Sequence, residues 1–225
     1  MSVPPLVARA RAAALELGFE QSCRDGDGAL LHLLAERRGI ERVGEIGTGT
    51  GVGTAWLASA LPPGVPLYTA ELEPAQARAA TALFADDPDV HVLEGDWRDV
   101  LPSHAPFDLL FVDGGHAKDD PEAVLGLAAP SATLVMDDFS ADWVGRDPRR
   151  ERWLGHPRVT TIEVGTGGNA RVLLCVVRRE AESGALHVVN EPEPIAGLRG
   201  SPSLRGDLAE IGVLGDLRRA LRRDH

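Results

Sequence analysis

Short apolar runs recur along this chain, each with an acidic residue at or next to its end, and most are followed by a segment with apolar residues at helical spacing. The runs Arg42–Ile46, Pro66–Glu71, Val90–Glu94, Asp108–Asp113 and Thr133–Asp137 read as buried strands. Ala29–Arg38, Gly53–Leu61, Pro74–Phe84, a short turn after Asp96, and Pro121–Leu127 read as helices. Regular strand–helix alternation implies parallel strands with right-handed crossovers and helices on both faces. Val159–Val164 and Arg171–Val177 are two further strands with only Gly165–Ala170 between them. That gap suits a hairpin and cannot hold a crossover helix. The expected fold is α/β: a Rossmann-like, doubly wound sheet of seven strands, mostly parallel, with a C-terminal antiparallel hairpin.

Three regions fall outside the alternation. Met1 to Phe19 is alanine-rich but broken by Arg9, Arg11 and Glu16, so it reads as an amphipathic helix and not a signal peptide. Ser140–His156, with Trp143, Trp153 and several arginines, reads as a solvated charged helix in preference to a substrate lid. Beyond Arg179 the pattern weakens. The expected division is a domain over residues 1–180 and an extension over 181–225. In the extension Asn190–Ser203 reads as a linker, and Leu204, Leu208, Ile211, Leu214, Leu217 and Leu221 recur at helical spacing. A leucine seam there would dock on its own core or on a second subunit, which leaves a homodimer open.

Ligands in such sheets bind beyond the carboxyl ends of the strands, so the strand tips carry the chemistry. The first tip reads Glu45-Ile46-Gly47-Thr48-Gly49-Thr50-Gly51. A turn this rich in glycine lets a ligand approach the backbone, and the helix behind it offers unpaired N–H groups. The spacing does not fit the dinucleotide fingerprint G-x-G-x-x-G. Counting from Gly47 puts Val52 at the third glycine, and counting from Gly49 puts Thr54 there. Glu71 closes the second strand, where a carboxylate can accept from both ribose hydroxyls of a nucleoside. Gly95-Asp96-Trp97 closes the third, with an acid and an aromatic face suited to a base edge and ring.

Together, Glu45 to Gly51, Thr69-Ala70-Glu71-Leu72-Glu73-Pro74 and Gly95-Asp96 resemble the class I S-adenosylmethionine-dependent methyltransferases. The likeness is to the catechol O-methyltransferase-like branch and spans roughly residues 20 to 178. The preceding Gly28-Ala29-Leu30-Leu31-His32-Leu33-Leu34 fits it too. The resemblance implies S-adenosylmethionine contacts at Glu45, Gly47, Thr48, Gly49, Gly51, Glu71, Leu72, Gly95, Asp96, Trp97 and Asp113. That branch usually has a serine-like residue near Gly53 to contact the methionine carboxylate; here Thr54 or backbone N–H groups would substitute.

Strand four ends Asp113-Gly114-Gly115-His116-Ala117-Lys118 and strand five ends Asp137-Asp138. Three carboxylates at adjacent tips repel one another unless a cation joins them, and Mg²⁺ prefers such hard oxygen ligands. The expected metal ligands are Asp113, Asp137 and Asp138. The catechol-type branch resembles this layout, with an Asn where Asp138 stands. It also places a lysine three residues after the strand-four aspartate, where this chain has His116. The Asp-Gly-Gly-His pattern looks more like the macrolide-sugar O-methyltransferase branch, which uses a histidine base at this spacing. The base is His116 or Lys118, beside Asp113.

Composition narrows the class. A formal charge of −11 argues against a nucleic-acid substrate, because phosphates need a basic surface. Two cysteines, Cys23 and Cys175, form neither a disulfide framework nor a zinc spacing and suit a reducing, cytoplasmic setting. No apolar run reaches the ~20 residues of a membrane span. Aromatic residues make up 4%, which leaves little for a flat aromatic pocket. The expectation is a Mg²⁺-dependent O-methyltransferase acting on a hydroxyl of a phenolic, polyketide or sugar acceptor. The competing readings are a metal-independent methyltransferase, a nicotinamide oxidoreductase and a non-catalytic cofactor-binding protein.

Overall fold

The computed structural model describes residues 2–19, 22–114 and 116–179. The proposed linker and leucine-seamed helix of the C-terminal extension lie outside them. The described chain builds one seven-stranded sheet in the order β3-β2-β1-β4-β5-β7-β6. The strands are β1 (Val43–Ile46), β2 (Leu67–Glu71), β3 (Val90–Glu94), β4 (Phe107–Val112), β5 (Ala128–Ser140), β6 (Val159–Gly167) and β7 (Ala170–Val177). The first five pair in parallel, while β7 runs antiparallel to both β5 and β6. The helices are α1 (Pro5–Glu16), α2 (Asp25–Ala35), α3 (Val52–Ala58), α4 (Pro74–Leu83), α5 (Trp97–Val100), α6 (Pro121–Leu125) and α7 (Pro148–Leu154). None of the described helices is long and apolar enough to cross a membrane.

Alternation along β4 separates two cores. Leu109 and Phe111 join the layer of α1, α2 and α3, while Leu110 and Val112 join the layer of α6 and α7. Strands covered on both faces are mostly apolar, as in Leu109–Val112 of β4; the exception in β1 is Glu45, buried with its neighbours. The chain reverses direction across the sheet between β1 and β4, so their tips flank the crevice where such folds bind ligands.

The structure departs from the pattern-based reading in four places. Helix α2 starts at Asp25, four residues before Ala29, because Gly26 and Gly28 are packing positions. A Cβ on Gly26 would lie 1.7 Å from Thr166 O, and one on Gly28 2.1 Å from Trp56 Nε1. Strand β5 extends well beyond Thr133–Asp137 at both ends. The hairpin tightens until only Gly168 and Asn169 join β6 to β7. The Ser140–His156 segment is not a free charged helix. Only Pro148–Leu154 is helical, and it docks through Trp153, which is completely buried.

Candidate active site

The glycine-rich turn Gly47–Gly51 joins β1 to α3. Gly47, Gly49 and Gly51 all have positive φ, a region closed to most side chains. Gly47 is the tightest position of the turn: a Cβ there would sit 2.5 Å from Gly114 N, so the tips of β1 and β4 meet this closely because residue 47 has no side chain. Gly47 N and Thr48 N donate to Ala70 O at 3.0 and 3.2 Å, fixing the turn against β2. Glu71, at the β2 tip, braces it from the side. Its Oε2 accepts from Gly49 N at 2.7 Å and its Oε1 from Glu73 N at 2.8 Å.

Glu45 does not reach the open face of the turn. It is fully buried beneath it, where Oε2 accepts from the hydroxyls of Thr54 and of Thr69, the latter at 2.6 Å. Burial pushes its carboxyl up to about 8, against the pull of those two hydroxyls. Thr69 in turn meets Thr48 Oγ1 at 2.5 Å, so one polar chain ties β1, β2 and the turn together. Gly51 likewise faces inward, toward Phe84. Thr54, expected to stand in for the missing serine hydroxyl at Gly53, is spent on Glu45. A Cβ on Gly53 would fall 2.6 Å from Glu45 Oε1 and 2.9 Å from the Phe111 ring, so a side chain there requires those buried groups to shift.

A cavity of about 930 Å³ opens over the turn. Of the residues expected at the cofactor, Gly47, Thr48, Gly49, Glu71, Leu72, Gly95, Asp96, Trp97 and Asp113 line it; Glu45 and Gly51 do not. Asp96 caps α5 by accepting from Arg98 N at 2.9 Å, and the Arg98 guanidinium lies 4.5 Å over the Trp97 ring.

At the far end of the same cavity, Asp113, Asp137 and Asp138 each bring a carboxylate oxygen within 4.8 Å of the others. Neighbouring residues of a strand normally point to opposite faces. Here Asp137 and Asp138 form a bulge: Met136 pairs with Leu173 and Phe139 with Arg171, leaving two residues opposite one. Asp138 takes a φ of 62°, a left-handed conformation that Asn and Asp tolerate better than other side chains. Burial, then the charge of Asp137, raises the Asp113 carboxyl far above the usual range, with Lys118 opposing.

The two candidate bases part company. Lys118 sits in a 3-10 turn, Ala117–Asp119, and is 2% exposed; its Nζ donates to Asp137 Oδ1 at 2.9 Å and lies 3.6 Å from Asp138 Oδ2. The His116 side chain is 91% exposed and turns to Asp119, Nδ1 to Oδ2 3.4 Å. His116 reaches the cavity only at its rim.

The chain is similar to proteins of known class. The family model described as "Methyltransferase domain" matches residues 45–139, from Glu45 to the end of the carboxylate bulge. A Mycobacteroides abscessus protein assigned by name as an O-methyltransferase is 32% identical over 157 residues, covering 66% of this chain and 72% of its own length. The structure of the O-methyltransferase TomG from Streptomyces achromogenes, in complex with S-adenosylmethionine, is 31% identical with a TM-score of 0.64. That match covers 79% of this chain and 91% of TomG. The chain belongs to the class I S-adenosylmethionine-dependent O-methyltransferases, of the catechol O-methyltransferase-like type. The fold alone is also shared with the Bacillus cereus O-methyltransferase in complex with S-adenosylhomocysteine, at 24% identity and a TM-score of 0.66 over 79% and 93% of the two chains.

Several residues lining this methyltransferase cavity carried no signal in the sequence. Cys23, Arg24 and Asp27 arrive from the start of α2, and Arg149 from α7. Arg24 lies 3.7 Å from Asp138, and Arg149 binds Asp119 through two nitrogens at 2.9 and 2.7 Å. Burial raises both the Cys23 thiol and the Asp27 carboxyl, the latter against its bond from Thr166. Thr50 also lines the cavity, with its hydroxyl buried and unpartnered among the described residues. Nothing in local pattern marks these positions, since each becomes a wall of the site only when distant segments pack.

Proposed function

We propose that this chain is a Mg²⁺-dependent O-methyltransferase that methylates a hydroxyl of a small phenolic, polyketide or sugar molecule. The observation that carries this reading is the cluster of Asp113, Asp137 and Asp138 in the same cavity as the glycine turn and Glu71. TomG, involved in tomaymycin synthesis, supports a small-molecule acceptor from secondary metabolism.

The residues fit both absent groups. For S-adenosylmethionine, Glu71 would accept from the ribose hydroxyls, and Asp96 and Trp97 would meet the adenine; all three line the cavity. Gly47 and Gly49 keep the turn bare, so a cofactor can approach its backbone. That cofactor supplies an electrophilic methyl group. For the metal, the donor set is three carboxylates, the oxygen ligands that Mg²⁺ prefers. A divalent cation held by Asp113, Asp137 and Asp138 supplies Lewis-acid activation of an acceptor hydroxyl. Lys118, the base candidate inside the cluster, would take the hydroxyl proton on Nζ only as the neutral amine, after its ammonium has passed its own proton to solvent; His116 stays at the rim, paired with Asp119. A metal-free reaction is the second reading, favoured by the ammonium of Lys118 already lying against two of the carboxylates. Cytoplasmic residence, no nucleic-acid or membrane partner and a homodimer complete the proposal; the free, buried Cys23 and Cys175 suit a reducing compartment.

The test is turnover of labelled S-adenosylmethionine with phenolic and glycosylated acceptors, with Mg²⁺ and with excess chelator. Methyl transfer lost in chelator and restored by Mg²⁺ supports the first reading. Full transfer in chelator selects the second.

A further inference from the structure

Lys118 occupies an unusual place for a lysine. Its side chain is 2% exposed, and its ammonium touches Asp137 at 2.9 Å and lies 3.6 Å from Asp138. These are two of the three carboxylates assigned to the metal. The lysine cannot easily leave. Its backbone carbonyl accepts from Trp153 Nε1 at 2.8 Å, and Trp153 is itself completely buried. The next residue is clamped through its carboxylate by Arg149 and through its carbonyl by Arg152. A buried ammonium survives only when paired, and these carboxylates are its partners.

We infer that Lys118 is a tethered cation that shares the carboxylate cluster, so that a divalent ion binds only by displacing its ammonium from Asp137 and Asp138. This rests on the metal reading above and adds that the chain's own lysine sets the metal affinity. Two cations on one carboxylate oxygen repel, so each must weaken the other's hold. The extra carboxylate at Asp138 has the matching role. With a neutral residue at 138, Lys118 would neutralise a larger share of the cluster's charge. Displacement also leaves Nζ beside the ion's ligands, where the acceptor oxygen is expected.

The experiment is Mn²⁺ binding at fixed pH and ionic strength, followed by the paramagnetic signal of free Mn²⁺. It compares the wild-type protein with Lys118→Met, Lys118→Gln and Lys118→Arg, and with Asp113→Asn as the control for the site. Binding of S-adenosylhomocysteine by calorimetry reports that each variant is folded, and either neutral variant serves if the other is not. The expected result is a dissociation constant at least ~10-fold lower for Lys118→Met or Lys118→Gln, with Lys118→Arg near wild type. Equal or weaker Mn²⁺ binding by the neutral variants, with wild type binding at the Asp113-dependent site, overturns the competition and leaves the metal reading standing. No Asp113-dependent Mn²⁺ binding by wild type or by any variant overturns both.

Discussion

Trp153 Nε1 donates to Lys118 O at 2.8 Å, joining α7 to the turn that carries the buried lysine of the site. This bond links a segment that looked like a solvated surface helix to the chemistry of the cavity. Removing the donor leaves a buried carbonyl short of a partner. Trp153→Phe should cost about 1–3 kcal/mol in urea unfolding and lower turnover, with S-adenosylhomocysteine affinity unchanged. Undiminished turnover in a variant destabilised by that amount would show that Lys118 is held by other means.

Glu71 braces the glycine turn and faces the cavity, so its loss should be felt by the cofactor. Glu71→Ala should weaken S-adenosylhomocysteine binding by about 1–3 kcal/mol, the scale of lost charge-assisted hydrogen bonds. Calorimetry reads this directly. The same titration should find no appreciable NAD binding; a preference for NAD would contradict the cofactor assignment.

Asp113→Asn and Asp137→Asn should separate chemistry from cofactor binding. Each should lower Mg²⁺-dependent turnover by at least the ~10–100-fold that outer partners of a metal are worth, while S-adenosylhomocysteine affinity stays near wild type. Parallel loss of cofactor binding would assign these aspartates to the fold and not to the reaction.

Glu45 makes stability depend on pH. Its folded carboxyl, at about 8, lies above the ordinary glutamate value of 4.5, so the folded state holds the proton more tightly than the unfolded chain does. The favourable contribution is complete below about 4.5 and is lost as pH rises toward 8. Glu45→Gln removes this dependence. Its melting temperature relative to wild type should climb between pH 5 and pH 8, by roughly 2–4 °C for each kcal/mol relieved. A flat difference across that range would mean that Glu45 is ionised when folded.

Gly47 and Gly114 touch where β1 and β4 end. Gly47→Ala forces a side chain into a φ of 95° and places its Cβ 2.5 Å from Gly114 N. The expected loss is more than ~1–2 kcal/mol of stability together with weakened cofactor binding, because the turn must shift. Unfolding by denaturant and calorimetry on the same sample check both.

Much of this protein was legible before folding. The five parallel strands stood out as apolar runs separated by helical segments, and the last two as runs joined by a gap too short for a crossover helix. The acidic tips and the glycine turn announced a ligand site, since backbone approach and strand-end placement are local requirements. What the sequence could not contain is set by packing between distant segments. The bulge that turns Asp137 and Asp138 to one side exists only in pairing with β7. Glu45, at the head of the glycine motif, is drawn beneath the turn by Thr54 and Thr69, although the motif alone places it at the cofactor. His116 and Lys118 stand three and five residues after Asp113, and spacing could not choose between them. The 3-10 turn, anchored by Trp153 from 35 residues away, sends the lysine inward and leaves the histidine in solvent. Sequence thus fixes which groups end the strands, by local periodicity and turn chemistry. Tertiary structure decides which of them meet, because that depends on hydrogen bonds and burial shared between elements far apart in the chain.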